Sequence, residues 1–373
     1  MPAYFGLTLA LLLTLAQASD SADLAKEQTI AATSPTRPLL GLELQATERT
    51  EPVIKSYERI KQAADIAYIQ RNWDEWQNNH AVGYDEVALA RKNGLKVYVA
   101  LDLLSYDPPR ANLITAEKKI AKFSDAKIQE KYLNLVEETA ARTKPDYFIL
   151  LVEANMYKDR TPSEYAAFKN LLPQAIERVR KYSPNTKIGV SVTYMDHDNK
   201  NGIDAGDIAY FRECVNDFDA YSDILSVSTY PMSYQEPTKI PEDFLAQIAS
   251  ASKRPLFIAE TSWVSESFEI DVGLFQKYKF QSSPQKQLDY FQKLKTCADF
   301  ASKQNKTIEA INFVSLNDPR PIASAVFKLV NQQFGWFTSL AVSDNDGKPK
   351  PSYAFLTQWK LLDSNSHSVK PSK

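Results

Sequence analysis

The 373-residue sequence predicts an α/β fold, a single (β/α)₈ barrel. Eight short apolar or β-branched runs alternate with amphipathic helical stretches along the chain, and this alternation is typical of a parallel sheet. The runs are continuously apolar, which indicates strands that are covered on both faces. An open doubly wound sheet is the alternative, but the first run is not followed by the Gly-rich turn that holds a nucleotide in that fold.

The eight predicted strands follow one another at intervals long enough to hold a helix. In chain order they span Leu39–Ala46, Asp65–Asn72, Leu95–Leu104, Tyr147–Ala154, Lys187–Met195, Asp223–Pro231, Pro255–Trp263 and Glu309–Asp318. One intervening helix shows apolar residues at helical spacing, at Leu171, Leu172, Ala175, Ile176 and Val179. Thr161-Pro162 and Ser283-Pro284 each predict a helix start, because a capping residue precedes proline at the first helical position.

The N-terminus predicts a signal peptide. The apolar run from Phe5 to Ala16 is shorter than the roughly 20 residues that a membrane-spanning helix needs, and Ala16-Gln17-Ala18 provides a cleavage site. An uncleaved anchor helix is the alternative. We expect a signal peptide over 1–18, a flexible leader over 19–36, the barrel over 37–363 and a disordered tail over 364–373. Export implies a secreted or periplasmic protein with no membrane attachment after signal cleavage.

Composition and charge argue against several classes of function. The formal net charge is -2, so nothing indicates a nucleic-acid partner. The chain has 10 glycines and neither a dinucleotide-binding GxGxxG pattern nor a P-loop pattern. The three histidines lack metal-ligand spacing, and no G-x-S-x-G motif marks a serine nucleophile. We therefore expect no cofactor, no bound metal and a monomeric protein.

The two cysteines, Cys214 and Cys297, fall in helical stretches. An exported protein can form a disulfide. The strand assignment, however, places Cys214 in the helix after the fifth strand and Cys297 in the helix after the seventh, with one helix between them. We expect their Cα atoms to lie farther apart than the roughly 7 Å limit of a disulfide, which leaves two buried free thiols.

Two predicted strands end in a glutamate. Glu153 ends the fourth strand and Glu260 ends the seventh. Alternation puts each glutamate on the same face as two aliphatic residues of its strand, Ile149 and Leu151 for the fourth, Leu256 and Ile258 for the seventh. Three strand steps around the ring place the two carboxylates nearly opposite each other at the C-terminal mouth, where active sites of this fold lie. Two facing carboxylates are the minimum for glycoside hydrolysis, although a salt bridge or a helix cap is the alternative for either one alone.

Four segments resemble the clan A retaining glycosidases, a group of TIM barrels. They are "YFILLVEANMY", "DILSVSTYPMSY", "RPLFIAETSW" and "VSDNDGKPKPSYAFLTQW", and the last is similar to a segment of endo-galactanase and endo-glucanase members. The resemblance runs from about Arg37 to Leu362. It implies that Glu260 is the nucleophile, that Glu153 is the acid/base residue, and that Tyr230 contacts the nucleophile.

The sequence departs from the pattern of that clan at three places. Val152 stands where the clan has an Asn that binds the substrate 2-hydroxyl, and Ser262 stands where it has a Gly. The eighth strand, "INFVSLND", lacks the Trp that commonly forms the floor of the sugar site. These departures concern the substrate subsite more than the two glutamates.

Further residues at the predicted strand ends are candidates for substrate binding. A loop Trp suits a carbohydrate because an aromatic face stacks on a sugar ring, although core packing is the commoner role of a single Trp. Four such residues are Trp73, Trp76, Trp263 and Trp336. The predicted substrate-binding residues are Arg71, Asn155, Tyr194, Tyr230, Trp263 and Asn317.

The sequence thus predicts a retaining glycoside hydrolase that acts on an extracellular or periplasmic polysaccharide or oligosaccharide. A catalytically inactive carbohydrate-binding protein on the same barrel is the alternative, and a barrel enzyme that uses Glu153 as a lone base is a third. Retention requires the two carboxyl groups to lie about 5–5.5 Å apart. We expect Glu260, near Tyr230 and Arg71, to carry the negative charge and Glu153 to keep its proton.

Overall fold

The computed structural model describes residues 37–45, 52–79, 82–105, 112–194, 208–273, 276–330 and 332–362. The predicted signal peptide (1–18), leader (19–36) and tail (364–373) lie outside the described residues. Within these ranges, no helix combines the length and the apolar character needed to cross a membrane.

Eight parallel strands form the barrel that the sequence predicts. Their bounds are β1 Leu39–Glu43, β2 Ile66–Arg71, β3 Lys96–Leu101, β4 Tyr147–Ile149, β5 Lys187–Gly189 with Ser191–Thr193, β6 Leu225–Ser228, β7 Leu256–Thr261 and β8 Ile308–Phe313. β5 is interrupted at Val190, so that its first half pairs with β4 and its second half with β6. β1 pairs with both β2 and β8, so the sheet is continuous from β4 round to β6. The divided β5 joins these two ends and completes the ring. The predicted fold is confirmed.

Helices cover the outside of the barrel. They are α1 Val53–Ala63, α2 Trp73–Asn78, α3 Tyr84–Lys92, α4 Ala126–Thr143, α5 Ala154–Arg160, α6 Pro162–Tyr182, α7 Ile208–Asp219, α8 Phe244–Ala249, α9 Pro284–Lys303, α10 Pro321–Val330 and α11 Pro351–Leu361. Both predicted helix starts are confirmed, since Pro162 and Pro284 each open a helix. The Ser283 side chain caps α9 by accepting a hydrogen bond from the Lys286 amide.

Two short antiparallel ribbons, neither of them predicted from the sequence, add to the barrel. One pairs Leu113–Ile114 with Ile120–Ala121 between β3 and α4. The other is a hairpin of Phe268–Gly273 and Gln276–Phe280, which follows β7. Phe268 stacks on Phe280 at its base, with ring centroids 5.1 Å apart. Both ribbons extend loops that follow the C-terminal ends of strands, where the mouth of the barrel lies.

Aromatic rings fill the interior of the barrel. Tyr68 of β2 stacks on Tyr98 of β3 with centroids 4.4 Å apart, and Tyr98 meets the edge of Phe257 at 4.9 Å. Phe257 then contacts Tyr147 of β4 at 4.8 Å. At the far end, the Tyr147 hydroxyl donates to Glu309, which also pairs with Lys187. The rings form a packed column that ends at the mouth with Tyr68.

This packing corrects the predicted face of β7. Phe257 lies in the interior, where strict alternation predicted Leu256 and Ile258. The strand nevertheless delivers Glu260 to the interior, because one extra residue between Ile258 and Glu260 shifts its register against both neighbouring strands. Such a β-bulge reverses the alternation of side chains and re-aims the residue that follows it.

Glu153 does not lie at the end of β4, where it was predicted, but in the turn that follows this strand. β4 ends at Ile149, and the chain then turns through Leu150–Val152. Backbone hydrogen bonds hold this turn between strands, from Val152 to the Leu101 carbonyl and from Ser191 to the Leu151 carbonyl. Glu153 has left-handed backbone angles, φ 54° and ψ 44°, and forms the N-cap of α5. A glutamate is uncommon at a positive φ, and such outliers concentrate at functional sites.

Both cysteines are free and buried, as predicted. Cys214 lies in α7, after β5, and Cys297 lies in α9, after β7. Burial raises the pKa of Cys297 to about 12, which keeps this thiol protonated at neutral pH.

Candidate active site

Glu260 is held at the mouth of the barrel by two tyrosines. Its Oε1 accepts a hydrogen bond of 2.9 Å from the Tyr68 hydroxyl, and its Oε2 accepts one of 3.0 Å from the Tyr230 hydroxyl. Tyr68 lies on β2 and Tyr230 follows β6, so the donors reach Glu260 from two sides of the ring. The side chain is 6% exposed. Glu260 is therefore a fixed carboxyl group with both oxygens bonded.

Glu153 faces the same mouth. Its charge acts on both Glu260 and Tyr230 and raises the pKa of each. The structure thus brings together the two glutamates predicted to be catalytic, and their catalytic roles stay predictions. The bulge in β7 and the turn after β4 are what place them there.

The expected distribution of charge is not supported by the surroundings of Glu260. Burial is the largest influence on its pKa, and the charges of Glu153, Asp102 and Glu43 act in the same direction. Together they raise the pKa of Glu260 to about 8 against the opposing hydrogen bond from Tyr68. These influences favour the protonated form of Glu260 at neutral pH, where we expected it to carry the charge.

Two further carboxylates, neither of them predicted from the sequence, line the mouth. Glu43 is the last residue of β1 and is buried, which raises its pKa to about 7 despite the nearby charge of Arg71. Asp102 follows β3 and accepts a hydrogen bond of 3.1 Å from Gln70 Nε2. Each stands at the end of a strand, as Glu153 and Glu260 were predicted to do. The same rule, applied to the first and third strands, would have found them.

Arg71 does not reach Glu260, which corrects its predicted role. Its guanidinium group pairs with Glu86 of α3 at 2.7 Å and donates to the carbonyl groups of Leu44 and Val82. Both members of the ion pair are buried. Side chains alternate along β2, so Arg71 points to the helices whereas Tyr68 points to the interior. Tyr68 supplies the donor to Glu260 that we had expected from Arg71.

This buried pair leads to a stability prediction. Replacing Arg71 by Met is expected to lower the free energy of unfolding by about 3–5 kcal/mol, because Glu86 would stay buried without the cation that neutralises it. Urea unfolding at pH 7 measures the change. Arg91→Met is the control, since Arg91 pairs with Asp146 at a half-exposed site and should contribute less than about 1 kcal/mol. A loss of similar size in the two variants would contradict this account of Arg71.

Three other predicted substrate-binding residues are buried in structural contacts. Asn155 accepts from the Thr193 amide at 2.7 Å and donates to the Thr193 carbonyl at 3.0 Å, which ties α5 to β5. Trp263 is fully buried and donates to Ser282. Asn317 is fully buried and accepts from Arg59 at 3.0 Å. All three are buried in these contacts, and their role in substrate binding stays a prediction.

The remaining candidates are aromatic. Tyr194 packs its ring against Phe211 of α7 and Phe244 of α8, which turns it towards the helical layer. Trp73 and Trp76 are buried. Trp336 is different, because it is half-buried and meets Tyr230 edge-on with ring centroids 5.2 Å apart. It belongs to the 3₁₀ segment Gln332–Ser339 beyond β8, so a later loop brings to the mouth the aromatic ring that strand eight itself lacks.

Among the described residues, no three or more His, Cys, Asp or Glu side chains are grouped so that they would hold a metal ion. The mouth is instead a set of carboxylates, tyrosine hydroxyls and one aromatic wall. Such a set can position a sugar ring, donate a proton and provide a carboxylate for attack.

Comparison with solved structures identifies the fold. No protein-family model matches the chain. No curated protein matches it either. The β-glycosidase BGL167 superposes with a TM-score of 0.59 at 10% identity, over 91% of this chain and 99% of that chain. A structure of fungal β-1,4-galactanases gives 0.60 at 14% identity, over 86% and 99%.

The exo-β-1,4-mannosidase Op5Man5 from Opitutaceae bacterium strain TAV5 gives a TM-score of 0.59 at 10% identity, over 90% of this chain and 61% of that chain. These three structures are named as glycosidases or galactanases. The predicted resemblance to the barrels of glycoside hydrolases is confirmed at the level of the fold.

Proposed function

We propose that the protein is a retaining glycoside hydrolase in which Glu260 is the nucleophile and Glu153 is the general acid/base. One observation carries the proposal: Glu260 is fixed by two tyrosine hydroxyls at the mouth of the barrel, within the electrostatic reach of Glu153. The likeness in fold to named glycosidases supports it.

The two tyrosines orient the attacking group. An ionised Glu260 that accepts from Tyr230 on Oε2 and from Tyr68 on Oε1 has a defined position for its remaining lone pairs. In the first step one of these oxygens forms a bond to the anomeric carbon as the glycosidic C–O bond breaks. The leaving oxygen takes a proton from Glu153. A covalent glycosyl ester at Glu260 and an ionised Glu153 result.

The second step reverses these roles. Glu153 now removes a proton from water, and the water oxygen attacks the anomeric carbon from the face that the leaving group vacated. The ester bond to Glu260 breaks and its carboxylate returns. Two displacements restore the original configuration, so the first-formed sugar product should have the anomeric configuration of the substrate.

Carbohydrate is the proposed substrate class. The half-buried Trp336, edge-on to Tyr230, provides an aromatic surface next to the nucleophile on which a sugar ring can stack. The names of the structural neighbours refer to β-glycosides, β-1,4-galactan and β-1,4-mannosides. We therefore propose a β-linked polysaccharide or oligosaccharide and a monomeric enzyme. The apolar N-terminal run and Ala16-Gln17-Ala18 support a secreted or periplasmic location.

A barrel that binds carbohydrate without cleaving it is the second candidate, and the raised pKa of Glu260 favours it, since a protonated nucleophile cannot attack. A glycan panel distinguishes the two candidates. Reducing ends released from any β-glycan between pH 6 and 9, and absent with Glu260→Gln, support the hydrolase. Saturable binding without release across this pH range supports the binding protein and overturns the hydrolase.

The environment of Glu260 also predicts a pH profile. The acidic limb of kcat/KM reports the ionisation of the nucleophile in the free enzyme. Deprotonation of the acid Glu153 should give an alkaline limb. Since the pKa of Glu260 is raised to about 8, the acidic limb of kcat/KM is expected to rise about tenfold per pH unit between pH 5 and 7 and to end in a maximum near pH 8. Initial rates on an aryl glycoside at low substrate concentration measure this limb. A plateau that already begins at pH 5 would contradict the account of the carboxylate cluster.

A further inference from the structure

The Tyr68 hydroxyl lies between two oxygen atoms. Glu260 Oε1 is 2.9 Å away on one side, and Gln70 Oε1 is in hydrogen-bond contact on the other. A phenol has a single hydrogen and can donate to one of these oxygens at a time. A single phenol hydrogen cannot satisfy both oxygens fully, and a protonated Glu260 supplies the second hydrogen to this pair of contacts.

The orientation of the Gln70 amide follows from its other neighbour. Gln70 Nε2 donates to Asp102 Oδ2 at 3.1 Å. The reversed amide would place Gln70 Oε1 against the carboxylate oxygen, so that two acceptors would face each other. Gln70 Oε1 therefore points to Tyr68 and requires a donor from it.

The chain of hydrogen bonds has two arrangements. When Glu260 is protonated on Oε1, it donates to Tyr68, Tyr68 donates to Gln70, and Gln70 donates to Asp102, so every contact is matched. When Glu260 is ionised, Tyr68 must turn its hydrogen to Glu260, and Gln70 Oε1 then loses this donor. Ionisation of Glu260 thus breaks one hydrogen bond elsewhere in the chain.

We propose that Tyr68 and Gln70 are positioning residues whose hydrogen-bond chain to Asp102 controls whether Glu260 is held protonated or ionised. The proposal rests on the proposed role of Glu260. Gln70 is the half-buried member of a chain whose other members are buried. The titratable groups that face Glu260 from the surrounding elements are Glu43 from β1, Tyr68 from β2, Tyr98 and Asp102 from β3, Glu153 from the start of α5 and Tyr230 from β6.

The hydrogen-bond chain predicts opposite effects on the pKa of Glu260 for substitutions of Gln70 and of Tyr68. In Gln70→Met the Tyr68 hydrogen no longer has Gln70 as a competing acceptor, so it stabilises the Glu260 anion and the pKa of Glu260 falls by about one pH unit. In Tyr68→Phe the anion loses a donor, and the pKa of Glu260 rises by about the same amount. In the double variant, Gln70→Met should have no effect beyond that of Tyr68→Phe, because Gln70 acts through Tyr68.

The titration of Glu260 tests the proposal without requiring turnover. Protein labelled with ¹³C at the glutamate Cδ is titrated by NMR from pH 4 to 10, and the Glu260 signal is assigned by its loss in Glu260→Gln. Tyr165→Phe is the matched control, because it removes a buried hydroxyl that donates to Asp217 between α6 and α7, away from Gln70 and Asp102. Its titration should match that of the unmodified protein.

Opposite shifts in the two single variants, with no added effect of Gln70→Met in the double variant, support the chain. Shifts in the same direction, or an unchanged titration in Gln70→Met, overturn it. If Tyr68→Phe fails to fold, the direction of the shift in Gln70→Met decides alone. A protein that shows these opposite shifts but has no hydrolase activity would refute the proposed function and support the hydrogen-bond chain. Failure of one proposal can therefore be told apart from failure of the other. In an active enzyme, the acidic limb of kcat/KM should move with the NMR titration.

Discussion

Glu260→Gln is expected to abolish glycoside hydrolysis, with a loss of about 10⁵-fold or more in kcat on every substrate. The amide can still accept a hydrogen bond from a tyrosine, so the mouth keeps its shape, but it cannot form the glycosyl ester. Initial rates on an aryl glycoside and on a natural glycan measure the loss. Hydrolysis of both substrates should be lost, because the nucleophile is needed whatever the leaving group.

Glu309→Gln is the matched control for this change. Glu309 also lies in the barrel interior, but at the opposite end, where it bonds Tyr147. The same chemical substitution there should leave kcat/KM within about threefold of the unmodified enzyme, since neither its charge nor its contacts reach the mouth. Activity of Glu260→Gln above one hundredth of the unmodified rate would refute its assignment as nucleophile.

Glu260→Gln should be more stable than the unmodified protein at high pH. The carboxyl of Glu260 ionises near the ordinary value of 4.5 in the unfolded chain and near 8 in the folded protein. Between these values the folded state binds more protons, so the stability of the unmodified protein declines as the pH rises from 4.5 to about 8. Above pH 8 the unmodified protein carries the whole of this penalty, which amounts to several kcal/mol. Glu260→Gln avoids it, and urea unfolding at pH 5 and pH 9 measures the difference.

Glu153→Gln is expected to divide substrates by their leaving group. Glycans with a poor leaving group should lose about 10²–10⁴ in rate, because the departing oxygen no longer receives a proton. Aryl glycosides with an acidic phenol need no proton, so their first step should be nearly unaffected. Their second step lacks a base, and azide should restore turnover by attacking the ester without one. The alkaline limb of the pH profile should also disappear.

Full activity of Glu153→Gln on a natural glycan would contradict its assignment as acid/base residue. An equal loss on aryl glycosides and glycans, with no effect of azide, would point instead to damage of the substrate site. A product analysis separates these outcomes, since azide rescue yields a glycosyl azide that the unmodified enzyme does not form.

The barrel could be predicted because its signals are local. Eight apolar runs that alternate with amphipathic stretches leave few ways to bury both faces of a sheet. The two glutamates were found because they end apolar runs, at the edge where this fold gathers its functional groups. Capping residues followed by Pro162 and Pro284 likewise placed two helix starts correctly.

The details of the mouth depend on features that strict alternation does not show. A bulge before Glu260 reverses the faces of β7, so that Phe257 lies in the interior where Ile258 was expected. Glu153 occupies a left-handed turn position that no residue preference for glutamate would indicate. Arg71 was misplaced because its partner, Glu86, is on a helix 15 residues further along. Long-range packing of this kind decides which strand-end side chains reach the mouth.

Peptide mapping of the trapped intermediate tests the central claim most directly. Glu153→Gln is incubated with an aryl glycoside of the sugar that the glycan panel identifies, quenched in acid, digested and examined by mass spectrometry. The proposed mechanism predicts that the mass of one glycosyl group is added to the peptide that contains Glu260, and to no other. An adduct on a different residue, or unmodified protein together with a product of inverted configuration, would contradict it.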